Sequence, residues 1–197
     1  MTDIITYNIS YSYVDPTTEI GDNVFIGPLC IIGGEAFWPE REGTVLKNRE
    51  FGGSVILEEG VMILGSTTIE RSGFKGGYTR IGRGTIIDHH CLIGHDCVIG
   101  EGCKIIAGSI IGGAVEVGKC AYIGLNSTIR NKIRIGPYSQ IGCGSNVVKD
   151  VPPFEVWAGN PAKKLRDDTY WNLKEEEKSM VLKEWYKEGG YIKNWSW

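Results

Sequence analysis

His89, His90 and His95 are the only histidines in the chain. An imidazole has an ordinary pKa near 6.5 and can take up and release a proton at neutral pH. Asp88 precedes His89 and Asp96 follows His95. An acid so placed can orient the ring and favour its protonated form, although an Asp in a turn can equally serve its own backbone. Gly113 stands eighteen residues after His95, and a glycine lets a ligand approach the backbone closely. A base beside a fixed backbone N–H suits acyl transfer from a thioester to an amine. The base takes the amine proton while the N–H stabilises the thioester oxygen as it gains charge. Cys120 and Cys143 offer thiols, but neither has a basic partner in the repeat register given next, so no covalent intermediate is expected.

The element that must hold these groups is a repeat. From Ile81 onward every sixth residue is Ile or Val: Ile81, Ile87, Ile93, Ile99, Ile105, Ile111, Val117, Ile123, Ile129, Ile135, Ile141 and Val147. Gly follows in eight of these twelve units. Two positions before the aliphatic residue, the side chain is small in every unit except that of Ile133. A period of six does not fit the 3.6 of a helix, but it suits short strands joined by turns in which glycine tolerates positive φ. Hexapeptide β-helices have this signature, three units making one triangular coil. One coil further along from His95 is Gly113, and parallel rungs are about 4.8 Å apart. Cys30, Cys91, Cys97 and Cys103 fall in the interior as core fillers.

The register extends back through Val14, Ile20, Ile26 and Ile32, and through Leu57, Ile63 and Ile69. Segments 33–54 and 70–80, rich in Gly and charge, read as loops ejected from one corner. After Val148 the prolines are expected to stop the ladder. Residues 168–188 then read as a helix capped by Asp167 or Asp168 and stopped at Gly189-Gly190. The expected organisation is a β-helix domain over 1–166 and a helical extension over 167–197.

Composition bounds the function. The 197 residues carry a net charge of −3, which offers no broad basic surface for nucleic acid. Neither a basic leader nor an apolar run of membrane length is present, and the expectation is a cytoplasmic protein with reduced thiols.

Over about residues 14–166 the sequence resembles the hexapeptide-repeat acyltransferases. The stretch from GGSVILEEGVMILGSTTIERS to TRIGRGTIIDHHCLIGHDCVIGEGCKIIAGSIIGGAVEVG is similar to the UDP-3-O-acylglucosamine N-acyltransferases of lipid A synthesis. IGHDCVIGE is as similar to the sugar-nucleotide N-acetyltransferases of bacillosamine-type pathways and to related sialic-acid O-acetyltransferases. The resemblance implies an all-β fold, a left-handed parallel β-helix with a C-terminal helix, assembled as a homotrimer with sites between subunits. Its handedness comes from the resemblance alone, because the general rule for parallel crossovers is right-handed. About thirteen residues precede the first repeat, too few for the lipid A enzyme's uridine-binding domain, so its substrate is not carried over. The ending VWAGNPAKKLR is shared by acetyl-CoA-dependent members and favours an acetyl donor.

On this resemblance, His95 is the general base, Asp96 its orienting acid and Gly113 the oxyanion contact. By the geometry of the coil, the extended arm of acetyl-CoA would lie along the β-helix past Gly113, Ala114, Ala121, Gly124 and Asn131, and Lys163, Lys164 and Arg166 form a basic cluster that suits its phosphates or equally a solvated tail. The acceptor, an amino sugar on a nucleotide, would meet Asp88 and His89, with Trp38 and Arg41 of the first loop suited to base and diphosphate or equally to contacts between subunits. O-acetylation of a sugar and an acyl-carrier-protein donor are the alternatives. A γ-type carbonic anhydrase needs a third His from another coil, so no metal is expected, and a scaffold would need neither His95 nor Gly113.

Overall fold

The computed structural model describes residues 11–35, 39–42, 45–48 and 52–188. The hexad period becomes three sheets, parallel except at the last strand of the third, wound into one prism. The first holds seven strands from Tyr13–Val14 to Asn146–Val147, and the second six, from Glu19–Ile20 to Arg134–Ile135. The third holds eight, from Phe25–Ile26 to Ala162–Asp167. Register is strict: Ile93 pairs with Ile69 and Ile111, and Ile99 with Ile81 and Val117. Every aliphatic residue of the period from Ile81 to Val147 is 3% exposed or less. Side chains one position away point outward, as alternation in a strand requires.

The small column fills the corners, and its chemistry has a reason. Thr85 Oγ1 donates to Gly100 O at 2.7 Å, Ser109 Oγ to Gly124 O at 3.0 Å, and Cys97 Sγ to Gly112 O at 3.1 Å. Each side chain thus satisfies a carbonyl of the next coil, which a purely apolar small residue could not do.

The glycines after the aliphatic residue have a different cause from the one expected. Positive φ recurs every sixth residue, but two positions later, and there it falls mostly on side-chain-bearing residues such as His90, Asp96, Ala114 and Cys120. Gly94 and Gly100 are instead forced by close approach of the next coil. A Cβ on Gly94 would stand 2.7 Å from Gly113 N, and one on Gly100 2.6 Å from Lys119 N.

Three boundaries also differ from expectation. Within the first ejected segment, Pro39–Glu42 and Val45–Asn48 form an antiparallel hairpin, so it is not wholly irregular. The prolines do not end the coil: Val151 bridges to Ile135, and Glu155–Gly159 adds a parallel strand on Gln140–Ile141. The chain then turns back at a cis Asn160–Pro161 bond into the antiparallel strand Ala162–Asp167. Proline lacks only its own N–H, and Pro152 and Pro153 stand between paired positions rather than on them.

The helix begins at Glu175, seven residues later than expected. Asp168 closes a local turn on Tyr170 N, whereas Lys174 N–H donates to Glu177 Oε2 in the manner of a capping box. No helix among the described residues is long and apolar enough to cross a membrane.

Candidate active site

The strand Leu92–Ile93 leads into a corner at residues 94–97 before Val98–Ile99 begins on the next sheet. His95 and Asp96 occupy this corner. Asp96 has φ +60°, a conformation Asp adopts more readily than most residues, and it is 8% exposed. His95 Nδ1 lies 2.6 Å from Asp96 Oδ2, with the ring 15% exposed. An ionised carboxylate only accepts, so Nδ1 carries the proton in this pair and Nε2 of the neutral ring is the basic nitrogen.

Gly113 lies under the imidazole. A Cβ there would stand 2.5 Å from His95 Nε2 and 2.8 Å from Cε1, so no other residue leaves the ring in place. The next residue, Ala114, is buried and donates its N–H to His95 O at 2.8 Å. Among the described residues, Gly113 N donates in no backbone hydrogen bond, while its carbonyl accepts from Lys132 N at 3.0 Å. Asn131 is exposed one coil further along, its N 2.7 Å from the position of a Cβ on Gly112. Gly124 is on a different corner, where it donates to Ile141 O at 2.8 Å.

Three residues of the second ejected segment and its return strand complete the corner, and sequence reading had not singled them out. Ser72, fully buried, donates its hydroxyl to Asp96 Oδ1. Thr79 Oγ1 accepts Asp96 N–H at 2.8 Å, and Glu70 Oε2 accepts His95 N–H at 3.1 Å. Burial raises the Glu70 carboxyl above its ordinary value, and the His95 contacts only partly offset this. The one signal in the sequence was numerical: 24 residues separate Ile69 from Ile93, where a regular coil has 18.

Other expected residues fall elsewhere. Asp88 and His89 sit on the preceding corner, paired at 2.7 Å, and the His89 backbone and ring hydrogen bonds hold the Asp88 carboxyl below its ordinary value. Lys164 is held by Glu155 at 2.8 Å and Asp167 at 2.6 Å, contacts that raise its pKa. Arg166 donates to Asp167 O at 3.1 Å, and Lys163 is exposed on the same strand. Arg41 is on the hairpin, and Trp38 lies outside the described residues. Among the thiols, burial pushes Cys97 and Cys103 up to about 12, which removes them as nucleophiles. Among the described residues no three His, Cys, Asp or Glu side chains gather as metal ligands would.

Comparison with known proteins agrees with this architecture. Residues 78–113 match the family described as bacterial transferase hexapeptide (six repeats). A UDP-3-O-acylglucosamine N-acyltransferase of Methylorubrum populi is 36% identical over 148 residues, 75% of this chain and 41% of that protein. An acyl-[acyl-carrier-protein]–UDP-N-acetylglucosamine O-acyltransferase of Burkholderia lata is 30% identical over 73% of this chain and 53% of its own. The chain therefore spans about half or less of these curated relatives. Among solved structures, a UDP-N-acetylglucosamine acyltransferase from Bacteroides fragilis 9343 superposes with TM-score 0.74 at 20% identity, covering 94% of this chain and 71% of that one. The chain is built of hexapeptide repeats, and its fold is the left-handed parallel β-helix.

Proposed function

We propose that this protein is an acyltransferase that acetylates the amine of an amino sugar carried on a nucleotide, with acetyl-CoA as donor. The observation that carries the reading is the imidazole of His95, tethered at Nδ1 by Asp96 and turned with Nε2 over Gly113. Support also comes from the relatives' names, which describe acyl transfer to UDP-linked glucosamine derivatives.

The chemistry follows from the two groups. The sugar amine attacks the thioester carbonyl, forming a C–N bond, and His95 Nε2 takes the proton the nitrogen sheds. The carbonyl oxygen becomes an oxyanion facing the Gly113 N–H. Collapse breaks the C–S bond, and the thiolate of CoA leaves with the proton returned by the imidazolium. Asp96 stays ionised throughout and stabilises the imidazolium. Gly113, Ala114 and Asn131 lie along the donor's path beside the ring, with Gly124 further off. Because Lys164 is engaged by two carboxylates, Lys163 and Arg166 are left as the groups for the CoA phosphates.

A homotrimer completes the site in this reading. The outward rung positions of the sheet that leads to His95 are Tyr13, Ile31, Thr68, Leu92, Ile110, Thr128 and Asn146, all uncharged, and the acid at the end of its Thr68–Glu70 strand is turned to His95 N–H. On the six-stranded sheet the corresponding positions include Arg80, Glu116 and Arg134, with Glu116 and Arg134 paired across adjacent rungs and Arg80 paired with Glu58 just past its neighbouring strand. The uncharged face suits a second copy, which would bring its own His89 corner to the acceptor.

The first test is thermal unfolding with and without saturating acetyl-CoA, since a ligand bound only by the folded state raises the midpoint. A rise of several degrees is expected. No shift at millimolar concentration would overturn the acetyl-CoA assignment and move the donor to an acylated carrier protein, the donor in the name of the Burkholderia lata relative.

A further inference from the structure

We propose that Ser72 is a positioning residue for the base: it fixes the plane of the Asp96 carboxylate and takes up part of its charge, and so sets the protonation of His95. The inference deepens the reading of His95 as the base and rests on it.

Ser72 belongs to the six residues by which the coil from Ile69 to Ile93 exceeds its neighbours. That surplus is folded back over the corner. Phe74 N–H donates to Ser72 Oγ at 3.1 Å, which fixes the hydroxyl oxygen and leaves its single proton for an acceptor. Of the two acceptors in reach, Asp96 Oδ1 is much the nearer, Phe74 O standing at 3.4 Å. The approach is possible because positions 53 and 77 are glycine: a Cβ on either would collide with Ser72. The fold has therefore cleared space on two sides of one fully buried hydroxyl whose nearest acceptor is the acid behind His95.

The two carboxylate oxygens are divided. Oδ1 takes the Ser72 hydroxyl and Oδ2 takes His95 Nδ1, with Gly73 N at 3.4 Å as a weaker donor to Oδ2. Removing the hydroxyl frees the carboxylate to rotate and leaves its charge to act on the imidazole alone. Glu70 is a second carboxylate in hydrogen-bond contact with His95, and Arg71 beside it is paired with Asp15 at 3.2 Å and Glu35 at 2.9 Å. Substitution of Ser72 leaves these groups unchanged.

The experiment is an NMR titration of the intact protein, following the Cε1–H and ring nitrogen shifts of its three histidines in wild type, Ser72→Ala and Ser72→Cys. Wild-type His95 is expected to carry its neutral-form proton on Nδ1. In Ser72→Ala the His95 midpoint should rise by about half a pH unit as the unshared carboxylate favours the imidazolium, with tautomer shifts averaged, while His89 and His90 stay put. Ser72→Cys keeps the packing but donates weakly, so it should move His95 the same way by less, and it decides the matter if the alanine variant does not fold. Unchanged His95 midpoint and nitrogen shifts in a folded variant would show that Ser72 only packs the corner, and would overturn the inference. Turnover is read separately. A shifted His95 in a protein that acetylates no amino-sugar nucleotide would sink the acyltransferase reading and leave the role of Ser72 standing.

Discussion

The stack from Ile81 to Val147 and the corner around His95 are parts of one coil system built by opposite rules. In the stack every position is set by its neighbours 18 residues away, and identical needs recur on each rung. At the corner the needs occur once. Ser72 and Glu70 reach Asp96 and His95 across the one coil lengthened by six residues, at separations of 24 and 25, and Thr79 of the small column closes the corner on Asp96 N–H. A periodic scaffold gives rigidity cheaply, and a single off-period insertion gives it one place that differs from the rest.

The largest effect separating the two should come from the corner. His95→Ala is expected to lower turnover by about 10³-fold or more, and Asp96→Asn by about 10²-fold, the range by which positioned acid–base groups act. Acetyl-CoA affinity and the unfolding midpoint should be nearly unchanged in both. Near-normal turnover in His95→Ala, measured by thiol release from acetyl-CoA, would remove the proposed mechanism while leaving the scaffold untouched. Gly113→Ala should match Asp96→Asn, at about 10²-fold, because its methyl displaces the imidazole rather than deleting it.

The next contrast lies within the stack. Gly100→Ala puts a Cβ 2.6 Å from Lys119 N, so a coil has to shift, and a loss of about 3 kcal/mol is expected. Gly84→Ala meets nothing within 4 Å and carries only the penalty of φ +62°, about 1 kcal/mol. Denaturant midpoints of the two variants decide it. Equal losses would mean that turn conformation, and not the approach of the coils, sets the glycine column.

What could be read from the sequence follows the same division. The aliphatic column, the small corner residues and the His95–Gly113 stack were all legible, because each is a statement about positions 18 apart. The role of the glycines was misread, since a residue needed for φ and one needed for space look alike in a single sequence. Ser72 was invisible for a physical reason: an inserted segment loses register, and nothing in ERSGFKGG tells which side chain turns inward. Val156 and Trp157 were missed because the prolines before them suggested a stop, whereas a coil needs only that its paired N–H groups be present. The engagement of Lys164 by two acids depends on a hairpin register that only the structure supplies.

The smallest effect expected is at Glu70, and its sign is fixed by burial. Its carboxyl is raised in the folded protein, chiefly by desolvation, so it resists ionisation there more than in the unfolded chain. Below the ordinary carboxylate value both states hold the proton and Glu70 exerts its full stabilising contribution. As pH rises, the unfolded chain ionises first, and that contribution is lost through the folded pKa. Glu70→Gln cannot ionise, yet its amide oxygen can still accept His95 N–H in place of Oε2. The variant should therefore match wild type near pH 4 and exceed it near pH 7. Partial exposure keeps the gain under about 1 kcal/mol, or about 2 °C in the midpoint. A variant that is instead weaker at both pH values would mean that the charged carboxylate holds the His95 backbone better than an amide can. Glu70 would then belong with Ser72 among the groups that fix the corner, rather than with the residues that burial merely burdens.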